Sequence, residues 1–443
     1  MHTLCLYVAP NCNMRQFPRL ADYEGSNMSG FRYRPEILKG MSDYETEYLK
    51  QYENWFILEP KDLKRITDHF VTKLNKGLSK EGGTIPMNPC WIMGFPSGHE
   101  TGRVLTLDMG GTNLRICRVC LSSRKRDFEQ FQRKIQLPEE LKTGTGEQLW
   151  NFVAECLELF LKEHHIESDD DDDDDDDDDG IVPLSFTYSF SVEQKSIRSG
   201  ILQRWTKNLD VFGMKGQDVI PQLKAAFKRH SLPARIVALL NDTTGTLIAS
   251  HYRDPKVKLG SIFSTGCNAA YMEERKLIQK LEGAALPEKA TVIINTEYGA
   301  FDNDRKVLPF TPFDSQSMEH QDGIWIFDGS LSLSPDLNDL KVCRYLIGLV
   351  ATRAARLYAC GIAAICKKKK NIKRCHVGVD GSVFNKYSGF KGRAAQGLRD
   401  IFDWPPDEQE LIALNPSEDG SSVGAALAAA LIIEGEQKAK PLY

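Results

Sequence analysis

Apolar residues along this chain alternate between two spacings, and the changes of spacing mark its elements. Over residues 59–78, Leu63, Ile66, Phe70, Val71, Leu74 and Leu78 recur every three or four positions, which predicts an amphipathic helix. Gly82, Gly83, Pro86 and Pro89 then end it. From Arg103 the pattern is that of extended chain: residues 104–107 run in, Gly110 and Gly111 turn, and residues 114–121 run out. Helical spacing returns over 147–162, with Leu149, Phe152, Val153, Cys156, Leu157 and Phe160 on one face. Residues 181–190 read as a strand, 218–230 as a helix, and 235–240 as a strand that stops at Asn241.

The strand–turn–strand theme then recurs. Ser261, Ile262 and Phe263 lead to Ser264-Thr265-Gly266 and a second strand follows, so two related halves around one site are expected. Residues 292–295 form a further short strand, 342–366 a long helix with small residues along it, and 376–380 and 411–415 two more strands. An alanine-rich helix over 423–433 closes the chain, too short in its apolar run to span a bilayer. Strands alternating with helices place the fold in the α/β class. The first 50 residues mix Pro, Gly, Asn and charges without a period and read as a weakly ordered extension.

Composition narrows the picture. A chain of 443 residues with 41% apolar and 26% charged residues is of globular type, and its length favours two domains. Eleven cysteines without paired spacing suit reduced thiols, and the first residues lack a secretory pattern, so a cytoplasmic protein is expected. The net charge of −5 conceals an unbroken run of eleven aspartates at 169–179; the rest of the chain carries +6. Such a run cannot pack and predicts a solvated loop, either a low-complexity expansion or a binder of metal or basic partners. Cys117 and Cys120 lie on a strand with no second pair, which argues against zinc. Lys367–Lys370 with Lys373 and Arg374 reads as a solvated helix end and not as a nucleic-acid patch.

Candidate chemistry gathers at three places. Gly110 and Gly111 can take positive φ and let backbone N–H groups approach a phosphate, with Thr112, Asn113 and Arg115 adjoining and Asp108 placed to hold Mg²⁺; an ordinary hairpin is the plainer reading. Asp242, between a strand and an apolar helix start, suits either a helix cap or a base that accepts a proton from an attacking alcohol. Thr206, Lys207 and Asn241 offer donors and acceptors for adjacent hydroxyls, which favours the second role.

At these residues a family resemblance emerges. Asp108-Met-Gly-Gly-Thr-Asn-Leu-Arg115, Leu202-Gln-Arg-Trp-Thr-Lys207, Asn241-Asp-Thr-Thr-Gly-Thr246, Asn295-Thr-Glu-Tyr-Gly-Ala-Phe301 and Val379-Asp-Gly-Ser-Val383 together resemble the hexokinases, especially the fungal hexokinases and glucokinases. The resemblance runs from about residue 59 to the C-terminus. It implies an actin-like ATPase (ribonuclease H-like) α/β fold with two lobes around a cleft. Residues 104–240 would form the small lobe, and 51–103 with 241–443 the large one. The implied activity is ATP-dependent, Mg²⁺-requiring phosphorylation of the 6-hydroxyl of glucose or a related hexose such as fructose or mannose, the first step of glycolysis, by a monomer or homodimer with no nucleic-acid or membrane partner. By the same likeness Asp242 and Lys207 are catalytic, and Thr206, Lys207, Asn241, Asp242, Asn268 and Glu297 hold the sugar. Asp108, Gly110, Gly111, Thr112, Asn113, Arg115, Thr265, Gly266, Gly381, Ser382 and Asp419 match the nucleotide side, with Asp108 toward the metal.

The chain also departs from that family. The Pro-Gly-Gln-Gln block expected after Glu297, the further sugar-contacting glutamate and most helices that follow are absent, so the large lobe is shortened around 314–341. Ser264 and Ser422 stand where the family commonly has Gly. The missing block motivates a second expectation, a catalytically impaired relative that binds sugar or nucleotide as a regulator.

Overall fold

The computed structural model describes residues 43–122, 124, 126–164, 181–205, 209–264, 266–284, 286–311, 337–369, 374–405, 408–417 and 420–439. The aspartate run and the interval 314–336 therefore lie outside the described residues. Helix α1 (Asp43–Phe56) begins inside the stretch read as an extension, so residues 43–50 are helical and not loosely ordered. Leu49, Tyr52 and Phe56, one helical turn apart, pack on Tyr345 and Leu349, a partner 300 residues away that periodicity alone does not reveal. Helix α2 (Pro60–Leu78) is entered through a reciprocal capping box between Glu59 and Asp62 and buries Leu63, Ile66, Phe70, Leu74 and Leu78. The two-residue strand β1 (Asn88–Pro89) follows.

A five-stranded sheet comes next in the chain: β2 (Gly102–Met109), β3 (Asn113–Leu121), β4 (Phe128–Gln136), then helix α3 (Gly146–Glu163) and β5 (Val182–Tyr188). A short hairpin, β6 (Ser191–Glu193) and β7 (Ile201–Arg204), leads to helix α4 (Val219–Arg229) and β8 (Ala234–Leu240), the last strand of that sheet. The spatial order is β4-β3-β2-β5-β8, with β2–β3 and β3–β4 antiparallel and β2–β5 and β5–β8 parallel. Leu105, Leu107 and Met109 of β2 face a core with Leu149, Trp150, Leu157 and Phe160 of α3. Strand β4 escaped the sequence reading because its edge position leaves Glu129, Gln132 and Lys134 exposed and dilutes the apolar alternation.

Helix α5 (Asp242–Arg253) opens the second half, followed by β9 (Val257–Phe263), β10 (Cys267–Glu274), β11 (Thr291–Asn295), α6 (Leu337–Lys368), β12 (Cys375–Asp380), α7 (Ser382–Lys386), α8 (Phe390–Phe402), β13 (Ile412–Pro416) and α9 (Gly420–Ala439). The second sheet has the order β1-β11-β10-β9-β12-β13. Its last five strands repeat the first sheet relation for relation: two antiparallel pairs, β11–β10 and β10–β9, then two parallel pairs, β9–β12 and β12–β13. The repeated strand–turn–strand theme in the sequence is thus one part of a five-strand duplication of topology.

Helices α5 and α9 join the halves. Helix α5 packs on β9, β10 and β12 of the second sheet, and α9 packs on β2, β5 and β8 of the first. The lobe ranges implied by the resemblance count α9 with the second half of the chain; its alanine face packs on the first sheet, with Val104, Cys117 and Val119. The two helices touch backbone to backbone, since a Cβ on Gly424 would lie 1.9 Å from the carbonyl oxygen of Gly245. Residues Val342–Lys368 of α6 are long and apolar enough to cross a membrane, but 89% of that apolar window is buried in the protein. The basic end of α6 is not a solvated patch either. Lys368 and Lys369 both pair with Glu273, which is fully buried, and Lys367 pairs with Asp68.

Candidate functional site

Strand ends and helix starts deliver the chemistry-bearing residues. Strand β8 ends at Leu240, and the chain turns directly into α5 with Asn241 at the N-cap and Asp242 as the first helical residue. Asn241 takes the capping duty: its Oδ1 accepts from the Thr243 N–H at 3.0 Å. The Asp242 Oδ1 accepts from the same N–H at 2.8 Å and from the Thr243 hydroxyl at 3.3 Å. One carboxylate oxygen is thereby oriented while the structural role falls to its neighbour. Behind it, the Cys90 thiol lies 3.3 Å from the Thr244 hydroxyl, and burial pushes that thiol up to about 11, so it is an inert part of the wall.

Asn268 and Glu297 come together at the ends of β10 and β11. The Asn268 Nδ2 donates to Glu297 Oε1 at 3.1 Å and lies 3.5 Å from Asn241 Oδ1, so one amide connects these two to the start of α5. The Asn268 Oδ1 accepts from the N–H groups of Ala269 at 2.8 Å and Glu297 at 2.9 Å and from the Thr296 hydroxyl at 3.1 Å. Glu297 itself has φ +55°, a left-handed backbone that a non-glycine residue seldom adopts and that the surrounding bonds hold in place. Two amides and two carboxylates line this side, and a ring hydroxyl can accept from an amide N–H while donating to a carboxylate.

On the other side stand the two turns. The first closes with the Gly110 N–H on the Asn113 carbonyl at 3.0 Å, and Thr112 is exposed at its tip. The second closes with Ser264 N–H on the Gly266 carbonyl at 2.9 Å. Gly110 and Gly111 do not adopt the positive φ that was open to them, and where a Cβ of Gly266 would be there is only open space. Positive φ occurs instead at Gly381, +126°, where a Cβ would meet the Phe263 carbonyl oxygen at 2.3 Å. Ser264 and Ser382 link these loops hydroxyl to hydroxyl at 2.7 Å. Asp108, opposite Arg115 in the β2–β3 register, accepts from the Ser421 hydroxyl at the start of α9 at 2.6 Å. A lone carboxylate beside two turns is a donor set that would suit Mg²⁺, a cation that takes few protein ligands.

Of the residues expected from sequence, Asn241, Asp242, Asn268 and Glu297 form one group, and Asp108, Gly110, Gly111, Thr112, Asn113, Arg115, Gly266, Gly381 and Ser382 lie at the turns and strand ends. Thr206, Lys207, Thr265 and Asp419 lie outside the described residues. Two contacts were not foreseen. Asn295 bonds both Asn268 and Glu297, and Ser421 bonds Asp108. Asn295 opens a recognised motif and Ser421 lies two residues from Asp419, but only the folded chain shows what they touch.

Comparison with known proteins agrees with this geometry. One family model described as Hexokinase matches residues 48–252, and a second with the same description matches 258–323 and 320–431. The two stretches of the second model meet at 320–323, where the expected block is missing. The chain is 43% identical to a hexokinase of Emericella nidulans over 473 aligned positions, covering 90% of this chain and 94% of that protein. It is 38% identical to hexokinase-1 of Saccharomyces cerevisiae, covering 90% and 95%. Both alignments run longer than the 443 residues here, so parts of each relative stand opposite gaps. A hexokinase of Schistosoma mansoni in complex with glucose superposes with a TM-score of 0.76 at 26% identity, over 87% of this chain and 99% of that one. The fold is the actin-like ATPase fold of two lobes, which a second hexokinase crystal structure also shares at a TM-score of 0.68.

Proposed function

Because this chain belongs to the hexokinase family, we propose that it transfers the γ-phosphoryl group of ATP to the 6-hydroxyl of glucose or a related hexose. The observation that carries the proposal is the division of labour at the start of α5: Asn241 caps the helix, and Asp242 is oriented as a base beside the Asn268–Glu297 group. In this reading the Asp242 carboxylate takes the proton of the attacking hydroxyl. Asn241, Asn268 and Glu297 fix the remaining hydroxyls, with Thr206 and Lys207 completing the cradle, so that attack is effectively intramolecular. The glycine turns at 110–111 and 266 and the loop at Gly381 and Ser382 receive the nucleotide through backbone N–H groups. Magnesium held through Asp108 offsets charge on the phosphates. The two sheets, each with its own core, act as the small and large lobes whose closure excludes water as a competing acceptor.

A coupled assay for ADP release with glucose, run on the parent and on Asp242→Ala, tests the reading. The parent turns over, and the variant loses about 10²–10⁴-fold in kcat. Activity that survives the substitution removes Asp242 from the mechanism. Binding of glucose without turnover in the parent would instead identify a non-catalytic relative.

A further inference from the structure

Asn295 is the only described side chain whose amide bonds both Asn268 and Glu297, and it uses opposite ends to do so. Its Oδ1 accepts from Asn268 Nδ2 at 2.7 Å, and its Nδ2 donates to Glu297 Oε1 at 2.9 Å. It is 4% exposed, at the end of β11, with the backbone pinned between Ala270 of β10 and Asn88 of β1. The Asn268 oxygen is held by three other donors, and Asn295 takes an N–H at the opposite end, so the planar amide is fixed from both sides. On the Glu297 side, the same residue supplies a second neutral donor to the oxygen that Asn268 also bonds, so the carboxylate is held by both amides.

We propose that Asn295 is a positioning residue for hexose recognition: acting through its neighbours and not on the sugar, it ties the Asn268 amide to the Glu297 carboxylate and helps hold both in direction before the sugar arrives. This rests on the hexokinase reading above. An amide serves both partners at this reach, whereas a carboxylate in its place would face Glu297 with a second negative charge, and a hydrocarbon would serve neither.

The test is the steady-state kinetics of Asn295→Asp and Asn295→Ser with glucose and ATP, together with glucose-induced thermal stabilisation. Asn295→Asp raises the KM for glucose about tenfold or more, while kcat stays within about threefold and the KM for ATP is unchanged. Its glucose affinity also recovers partly as the pH is lowered toward about 5, since two adjacent carboxylates can share a proton; the parent shows no such recovery. Asn295→Ser, which adds no charge, gives a smaller rise without the pH signature and carries the test should the aspartate variant not fold. A glucose KM within twofold of the parent in both variants overturns the proposal, as does an equal rise in the KM for ATP. A parent that neither binds nor phosphorylates glucose overturns the functional reading, and this assignment with it.

Discussion

Side chains bonded to one another line one half of the site, where Asn241, Asn268, Asn295 and Glu297 form a connected group at the ends of β8, β10 and β11. The other half is defined by side chains that are missing: Gly110 and Gly266 leave room at their turns, and Gly381 lets its loop pack on the Phe263 backbone. A sugar presents hydroxyls in fixed directions, so its recognition needs donors and acceptors with fixed directions, and side-chain networks supply them. A phosphate chain is charged and nearly isotropic, and backbone N–H groups in a turn serve it without such a network. The two halves should therefore respond differently to substitution.

The largest effect is expected away from both. Replacing Glu273, buried with Lys368 and Lys369, by Ala strands two lysines and costs about 3–5 kcal/mol of stability. Calorimetric unfolding should show this, and both KM values should stay unchanged in the folded enzyme; parallel losses of glucose and ATP affinity would mean that the halves are not independent. Next, Asn268→Ala removes a donor to Glu297 and is expected to raise the KM for glucose about 10–100-fold with little change for ATP, since a hydrogen bond to a charged group contributes about 1.5–3 kcal/mol. Gly381→Ala is the mirror experiment. Its positive φ and the close Phe263 carbonyl predict a cost of about 1–3 kcal/mol, read as a raised KM for ATP with glucose binding intact by calorimetry. The smallest effect belongs to Ser264→Gly, which loses the hydroxyl tether to Ser382 and should change the KM for ATP about two- to tenfold.

The Glu273 cluster also makes a prediction about pH. Burial pushes the Glu273 carboxyl up, but its bonds to Lys368 and Lys369 more than offset this, so its pKa lies below the usual 4.5. A lowered carboxylate contributes its full stabilisation above the unfolded value and loses it as the pH falls through the folded one. The unfolding temperature should hold from neutral pH to about 5 and then decline, with that part of the decline missing in Glu273→Ala.

Legibility from sequence followed locality. Helix α2, the β2–β3 hairpin, α3, β8 and β9 were read from spacing within ten to twenty residues, and the Gly-Gly and Asn-Asp motifs identified the two halves of the site. Strand β4 and helix α8 were missed, the first because an exposed edge strand keeps few apolar positions, the second because its buried face includes Ala394, Ala395 and Gly397. The lysine run looked solvated because its partner, Glu273, lies almost 100 residues earlier in the chain.

Taken alone, the sequence determined the class of fold, the duplicated strand–turn–strand theme, the family, and Asp242 as the candidate base, because each is encoded by residues adjacent in the chain. Tertiary structure decided that Asn241 and not Asp242 carries the cap, that α9 closes the first sheet, that Ser421 meets Asp108 and that Asn295 bridges Asn268 and Glu297. These are choices among partners separated by up to 313 positions, and a side chain's hydrogen-bonding partner is fixed only when packing has brought the strands and helices into register.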